Sequence, residues 1–246
     1  MSVGFILGVA AGAVQGAPVI PTRTPVVFTN NGATFSPSVK QFGTHSAVFD
    51  SGGSDTVTSP NNSDFYLGTG PYTIEFWFNT ADTIGEIFNQ QDYNDNVGWA
   101  IGPRSSQRML YVAGDDSAIS VLVPSTGGYS DNTWSHFAVC KDTGGGIALF
   151  TNGTRVYYNA GWNHNAADTA SGLLRFGTGY GVSGGLFSDG PHPYNGYLDE
   201  VRVSTVDRYG KGNSTITVPT AAFENDDDTI LLMHFDNDVV DDGGPQ

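Results

Sequence analysis

The sequence predicts an all-β fold, two antiparallel sheets packed face to face as a sandwich, and three observations carry that prediction. Residues 72–79 read Tyr-Thr-Ile-Glu-Phe-Trp-Phe-Asn. Ile74, Phe76 and Phe78 therefore fall on one side of an extended chain, and Thr73, Glu75, Trp77 and Asn79 on the other. Such period-two alternation, built from β-branched and aromatic side chains, is the mark of a strand. The 33 Gly and 12 Pro are spread along all 246 residues, which suits many short strands joined by turns. No stretch shows the 3.6-residue periodicity of an amphipathic helix.

Taken in order, residues 1–25 differ in composition from the rest of the chain. They are apolar and rich in Gly and Ala, with Val3, Phe5, Ile6 and Leu7 as the large side chains, and Pro18, Pro21 and Pro25 close the segment. The apolar part is too short to span a bilayer comfortably. The first basic residue is Arg23, so the positive region that opens a secretory signal is missing. We expect an extended arm on a Pro-rich connector, with a cleaved leader as the alternative. Residues 26–246 show no composition break and are expected to form one domain. Two short strands are predicted around Asn31-Gly32, a hairpin dipeptide, and another over 46–49. After the central strand, strands are predicted at 84–88, 98–101, 109–113, 118–123, 134–141, 147–151, 154–158, 173–176, 197–204 and 230–235. Asn152-Gly153 is the strongest hairpin signal in the chain.

The charge balance narrows the partners. There are 10 Lys and Arg against 25 Asp and Glu, a formal net charge of −15. Phosphate backbones and anionic membrane surfaces both select clustered positive charge, so neither nucleic acid nor membrane is an expected partner. The single cysteine, Cys140, lies in an apolar run and reads as a buried, inert thiol.

Five stretches, in order, resemble the concanavalin A-like superfamily and its laminin G-like modules. They are Phe42-Gly43-Thr44-His45-Ser46-Ala47-Val48-Phe49-Asp50, then residues 72–78, then Trp134-Ser135-His136-Phe137-Ala138-Val139. Leu149-Phe150-Thr151-Asn152-Gly153 and Gly196-Tyr197-Leu198-Asp199-Glu200-Val201-Arg202-Val203-Ser204 complete the set. The resemblance implies a jelly roll over about residues 26–236. It implies no single activity, because this fold serves lectins, adhesins, glycosidases and virion proteins.

Catalysis is not expected. Glycosidases of the superfamily carry carboxylates on one face of a strand, whereas Asp199 and Glu200 are adjacent, and strict alternation sends neighbours to opposite faces. The five histidines show no metal-ligand spacing. The resemblance suggests calcium held between early and late strands, with Asp50 and Asp199 as its ligands; the bland alternative is that both simply accept backbone hydrogen bonds in turns. The long loop 177–195 carries Tyr180, Phe187 and Tyr194, which together with Tyr157, Tyr158 and Trp162 are candidates for an aromatic platform. Such faces stack on sugars or anchor protein interfaces, or else tuck onto the sandwich. The functional expectation is a non-catalytic structural module of a virion. A bacteriophage capsid-decoration or tail-fibre protein fits best, since single-domain modules of this type look similar to phage virion proteins. Its arm would contact other virion proteins or further copies of itself in a homo-oligomer. The alternative is a secreted, extracellular bacterial module that binds a cell-surface glycan.

Overall fold

The computed structural model describes residues 26–50, 52, 55–91, 98–115, 118–162, 173–179 and 192–243. The arm and its residues Val3, Phe5, Ile6 and Leu7 lie outside the described residues, as do Tyr180 and Phe187. In chain order the strands are β1 (Thr29–Asn31), β2 (Thr34–Ser36), β3 (Ser46–Phe49), β4 (Thr56–Thr58), β5 (Tyr72–Thr80), β6 (Phe88–Gln91), β7 (Gly98–Arg104) and β8 (Arg108–Asp115). They continue as β9 (Ala118–Leu122), β10 (Ser135–Lys141), β11 (Ile147–Thr151), β12 (Thr154–Asn159), β13 (Leu173–Phe176), β14 (Gly196–Ser204) and β15 (Thr229–Met233). The helical content among the described residues is one 3₁₀ turn, Ser63–Phe65.

The strands form two antiparallel sheets. The smaller runs β1-β4-β13-β6-β7-β8-β9; the larger runs β12-β11-β10-β5-β14-β3-β2, with β15 also on β14. The predicted central strand is central: β5 pairs with β10 on one side and β14 on the other. Its inward row of Ile74, Phe76 and Phe78 is fully buried, together with Phe137, Val139, Leu198 and Val201. These face Phe88, Trp99, Ile101, Met109, Tyr111 and Phe176 of the small sheet. Phe88 and Phe176 stack with ring centroids 4.2 Å apart. Packing of two apolar inner faces against each other is what makes a sandwich core.

The outward row of β5 is buried as well. Residues 205–228 cross the outer face of the large sheet as a strap. Tyr209 and Ile216 pack on Ala138, Cys140, Ala148 and Phe150, while Val218 and Phe223 pack on Trp77 and Leu232. The buried cysteine is thus part of this second apolar layer, as its sequence context implied.

Three expectations are corrected. Asn31-Gly32 does not close a hairpin. β1 pairs with β4 in the small sheet and β2 with β3 in the large one, so the chain changes sheet there, turning through Gly32 at φ +96°. The strand expected over 84–88 begins only at Phe88, since Ile84 makes just one isolated bridge to Arg104. The opposite-face argument for Asp199 and Glu200 fails at a bulge. Asp199 pairs with Trp77 and Arg202 with Glu75, which leaves one extra residue on β14. Glu200 takes it up in the left-handed region at φ +50°. A bulge resets alternation, so both carboxylates point to the strap side.

Candidate functional site

The charged side chains of the large sheet's outer face form a connected network. Glu75 is buried at the centre of the sheet. Its Oε1 accepts from Arg202 Nε at 2.9 Å and Nη2 at 2.6 Å, and its Oε2 accepts from the Tyr209 hydroxyl at 2.5 Å and meets His136 Nε2 at 3.2 Å. Burial pushes this carboxyl up, but the hydrogen bond from His136 and the Arg202 charge outweigh it and hold Glu75 below the usual carboxylate range. The Arg202 guanidinium lies 4.5 Å from the Phe223 ring centroid. The network therefore fastens the strap to the sheet.

Three further carboxylates fasten loops. Asp199 Oδ2 accepts the backbone N–H groups of Gln41 at 2.8 Å and Phe42 at 3.2 Å. Burial pushes the Asp199 carboxyl up to about 7, against the pull of those two bonds. Asp236 Oδ1 accepts from the Thr44 and His45 backbone N–H groups and from the Thr44 hydroxyl. Glu200 accepts the Phe223 N–H at 2.7 Å and lies 2.9 Å from His234 Nδ1; that hydrogen bond raises the His234 pKa. Residues 41–45 are thus clipped to β14 and to the segment after β15 by acid-to-amide bonds.

The calcium pair is not brought together. Gly196 pairs with Phe49 and Leu198 with Ala47, so Asp50, one residue past the paired stretch, is displaced from Asp199 by about four residues along the strand direction. That is about 13 Å at the rise of a strand. Asp50 is exposed, and its Oδ1 accepts the Gly52 N–H at 2.9 Å. The bland alternative, acceptance of backbone hydrogen bonds, describes both aspartates. Among the described residues no three His, Cys, Asp or Glu side chains converge.

The aromatic platform divides. Trp162 and Tyr194 belong to the sandwich core, and the Tyr194 hydroxyl donates to the Tyr197 carbonyl at 2.9 Å; neither offers a face to a ligand. Tyr157 is half-buried against the same core. Tyr158 is 43% exposed, because the register sets it opposite Ala148 on the outer side of β12, at the sheet's edge. Arg155 on the same strand places its guanidinium 4.7 Å from the Tyr158 ring centroid. The composition of the segment could not separate these cases, since burial of a loop aromatic depends on how the loop folds back.

Residues 51–208 match the family described as the concanavalin A-like lectin/glucanases superfamily, in its laminin G form. No curated protein matches in sequence. Several solved structures are similar. The binding domain of botulinum neurotoxin DC in complex with rat synaptotagmin II aligns with TM-score 0.55 and 13% identity, over 74% of this chain and 44% of that one. The binding domain of Paraclostridial Mosquitocidal Protein 1 gives 0.53 and 13%, over 74% and 44%. The botulinum neurotoxin DC binding domain in complex with SialylT gives 0.53 and 14%, over 74% and 43%. The chain spans less than half the length of these structures, and at such identities the likeness speaks for the fold alone. The family match covers well over half of the chain and includes β5, β10, β11 and β14, the strands that carry the core and the Glu75 network, so the chain belongs to the concanavalin A-like lectin/glucanase superfamily.

Proposed function

We propose that this chain is a non-catalytic structural and interaction module of a virus particle, a bacteriophage capsid-decoration or tail-fibre protein. The observation that carries the non-catalytic part is the use made of the acids on the large sheet. Glu75 is spent on Arg202, His136 and Tyr209, Asp199 on two loop amides, and Glu200 on Phe223 and His234. A glycosidase needs two carboxyl groups facing a substrate, and these face a strap and a loop. The virion part is supported by the apolar arm. Val3, Phe5, Ile6 and Leu7 precede Val26, the first described core residue. A segment of this composition would stabilise an assembly by burial in a neighbouring copy or another virion protein, by about 25 cal/mol per Å² of apolar surface removed from water.

The test is fractionation of the culture that makes the chain. Co-sedimentation with particles, and gold labelling of those particles by antibodies to the chain, is the expected result. Recombinant protein lacking residues 1–22 should fold but fail to join the particle or oligomer. Recovery of the chain only as free extracellular protein would sink the virion reading.

A second reading, a glycan-binding module, is favoured by one observation. An aromatic ring and a guanidinium lie together on the outer side of β12, a combination suited to a sugar. The superfamily's description includes lectins, and one similar binding domain was solved in complex with SialylT. A glycan array probed with the full chain tests this reading, and it is compatible with a tail-fibre role.

A further inference from the structure

Arg155 is held more firmly than an arginine at a sheet edge needs to be. Its backbone N–H donates to the Ser214 carbonyl at 3.0 Å. Its Nη1 donates to the carbonyls of Gly212 at 2.9 Å and Lys211 at 3.3 Å. Those carbonyls are fixed in turn. Asp207 accepts the N–H groups of Gly210 at 2.8 Å and Lys211 at 2.9 Å, and Lys211 Nζ sits 2.6 Å from Asp142 Oδ2. One corner of the guanidinium is thereby tied down over the Tyr158 ring. No described residue accepts a hydrogen bond from its Nε or Nη2.

We infer that Arg155 and Tyr158 form a recognition contact for a carboxylate-bearing sugar. The inference rests on the glycan-binding reading and names the ligand class for it. The free Nε/Nη2 edge of a guanidinium is matched in shape to a carboxylate and takes it through two parallel hydrogen bonds. The part-exposed tyrosine beside it supplies an apolar wall for the C–H groups of the sugar ring and a hydroxyl for one of its oxygens. Because the guanidinium is already immobilised, little side-chain entropy is lost on binding. The chain as a whole carries −15, which repels anions at a distance. A carboxylate is therefore not collected by a general field and needs a short-range, directional contact such as this one.

The experiment uses the full chain and two probes, tri-galacturonic acid and the neutral galactose trimer of the same linkage, with affinities from calorimetry. The acidic trimer is expected to bind about tenfold tighter or more, as a charge-assisted two-point contact implies. Arg155→Gln should abolish that preference, and Tyr158→Leu should weaken both trimers. Arg155→Lys, which keeps the charge but not the fork, should lose most of the preference; if it keeps all of it, the two-point contact is wrong. Thermal unfolding of each variant monitors folding, and should Arg155→Gln not fold, the other two variants carry the test. Equal affinity for both trimers overturns the assignment and leaves the glycan reading standing. Poly-glutamate competing as well as the acidic trimer also overturns it, because the site would then read a bare anion. Binding of neither trimer overturns it too, and a glycan array blank for every sugar removes the wider reading as well.

Discussion

Arg202 grips Glu75 through two nitrogens on a single carboxylate oxygen, Nε at 2.9 Å and Nη2 at 2.6 Å, beneath the ring of Phe223. The carboxylate is buried and Arg202 nearly so. Removing one member of such a pair strands the other charge in a dry environment, which costs about 3–5 kcal/mol. Glu75→Ala should therefore lower stability in urea unfolding by about that much. Joint replacement of Glu75 and Arg202 by Met should recover part of it, because an apolar pair avoids the stranded charge, while the Tyr209 hydroxyl and His136 still lose their acceptor. A loss under about 1 kcal/mol in the single variant would mean the network does not hold the strap.

Trp77 is a stability residue. Its ring meets Phe42 edge-on with centroids 5.8 Å apart, and His136 at 5.4 Å, under Val218 and Phe223. Trp77→Ala should cost about 3–5 kcal/mol by cavity formation. The measurement is thermal or urea unfolding, with glycan affinity as control. Lost affinity at unchanged stability would place Trp77 on a binding face instead.

The strands legible in the sequence are those whose side chains meet different surroundings on their two faces. β5, β10 and β14 alternate because one row fills the sandwich and the other meets the strap. Thr56–Thr58 escapes a reading by periodicity because three residues are too few for a period to register. The strap escapes it for another reason. Tyr209, Ile216, Val218 and Phe223 follow no repeat, since a segment lying across a sheet need only drop a side chain wherever the sheet leaves a gap. Asn31-Gly32 shows that turn chemistry reports a reversal without saying which strands it joins. Of the site, Asp199 and Glu200 stand out in the sequence but their faces do not, because a bulge depends on register with β5 and leaves no mark in β14 itself. Arg155 does not stand out at all. Its significance lies in the carbonyls of Lys211 and Gly212, which only the fold brings to it.

Asp199 should make stability depend on pH. Its carboxyl titrates at about 7 in the folded chain, raised from 3.8 by burial, so the folded state holds this proton more tightly than the unfolded one. As pH rises from about 4 to about 7, the folded state loses stability, and above that range the cost is fully present. Asp199→Asn keeps an oxygen for the Gln41 and Phe42 amides and has no charge to bury. Its unfolding free energy should match the wild type near pH 4 and exceed it near pH 8, by on the order of 2 kcal/mol or more. A difference that stays flat across that range would contradict the raised pKa.

Gly153 links the strongest hairpin signal in the chain to the strap. Asn152 and Gly153 stand at φ +47° and +80°, the successive left-handed residues that a two-residue hairpin of this twist requires. The Gly153 carbonyl also accepts the Ile216 N–H at 2.8 Å. A Cβ on Gly153 would lie 2.8 Å from Val218 Cγ2 and 2.9 Å from the Ile216 carbonyl oxygen. Gly153→Ala thus meets two costs, a left-handed conformation for a residue with a Cβ and a clash with the strap. Together they should remove about 2–3 kcal/mol. The position of the loss is the sharper test. Hydrogen exchange at the Ile216 amide should quicken while amides of β5 follow only the global change, because the strap has to move off the hairpin before the sheet opens. Unchanged protection at Ile216 would show that the strap is held by the Glu75 network and owes nothing to this turn.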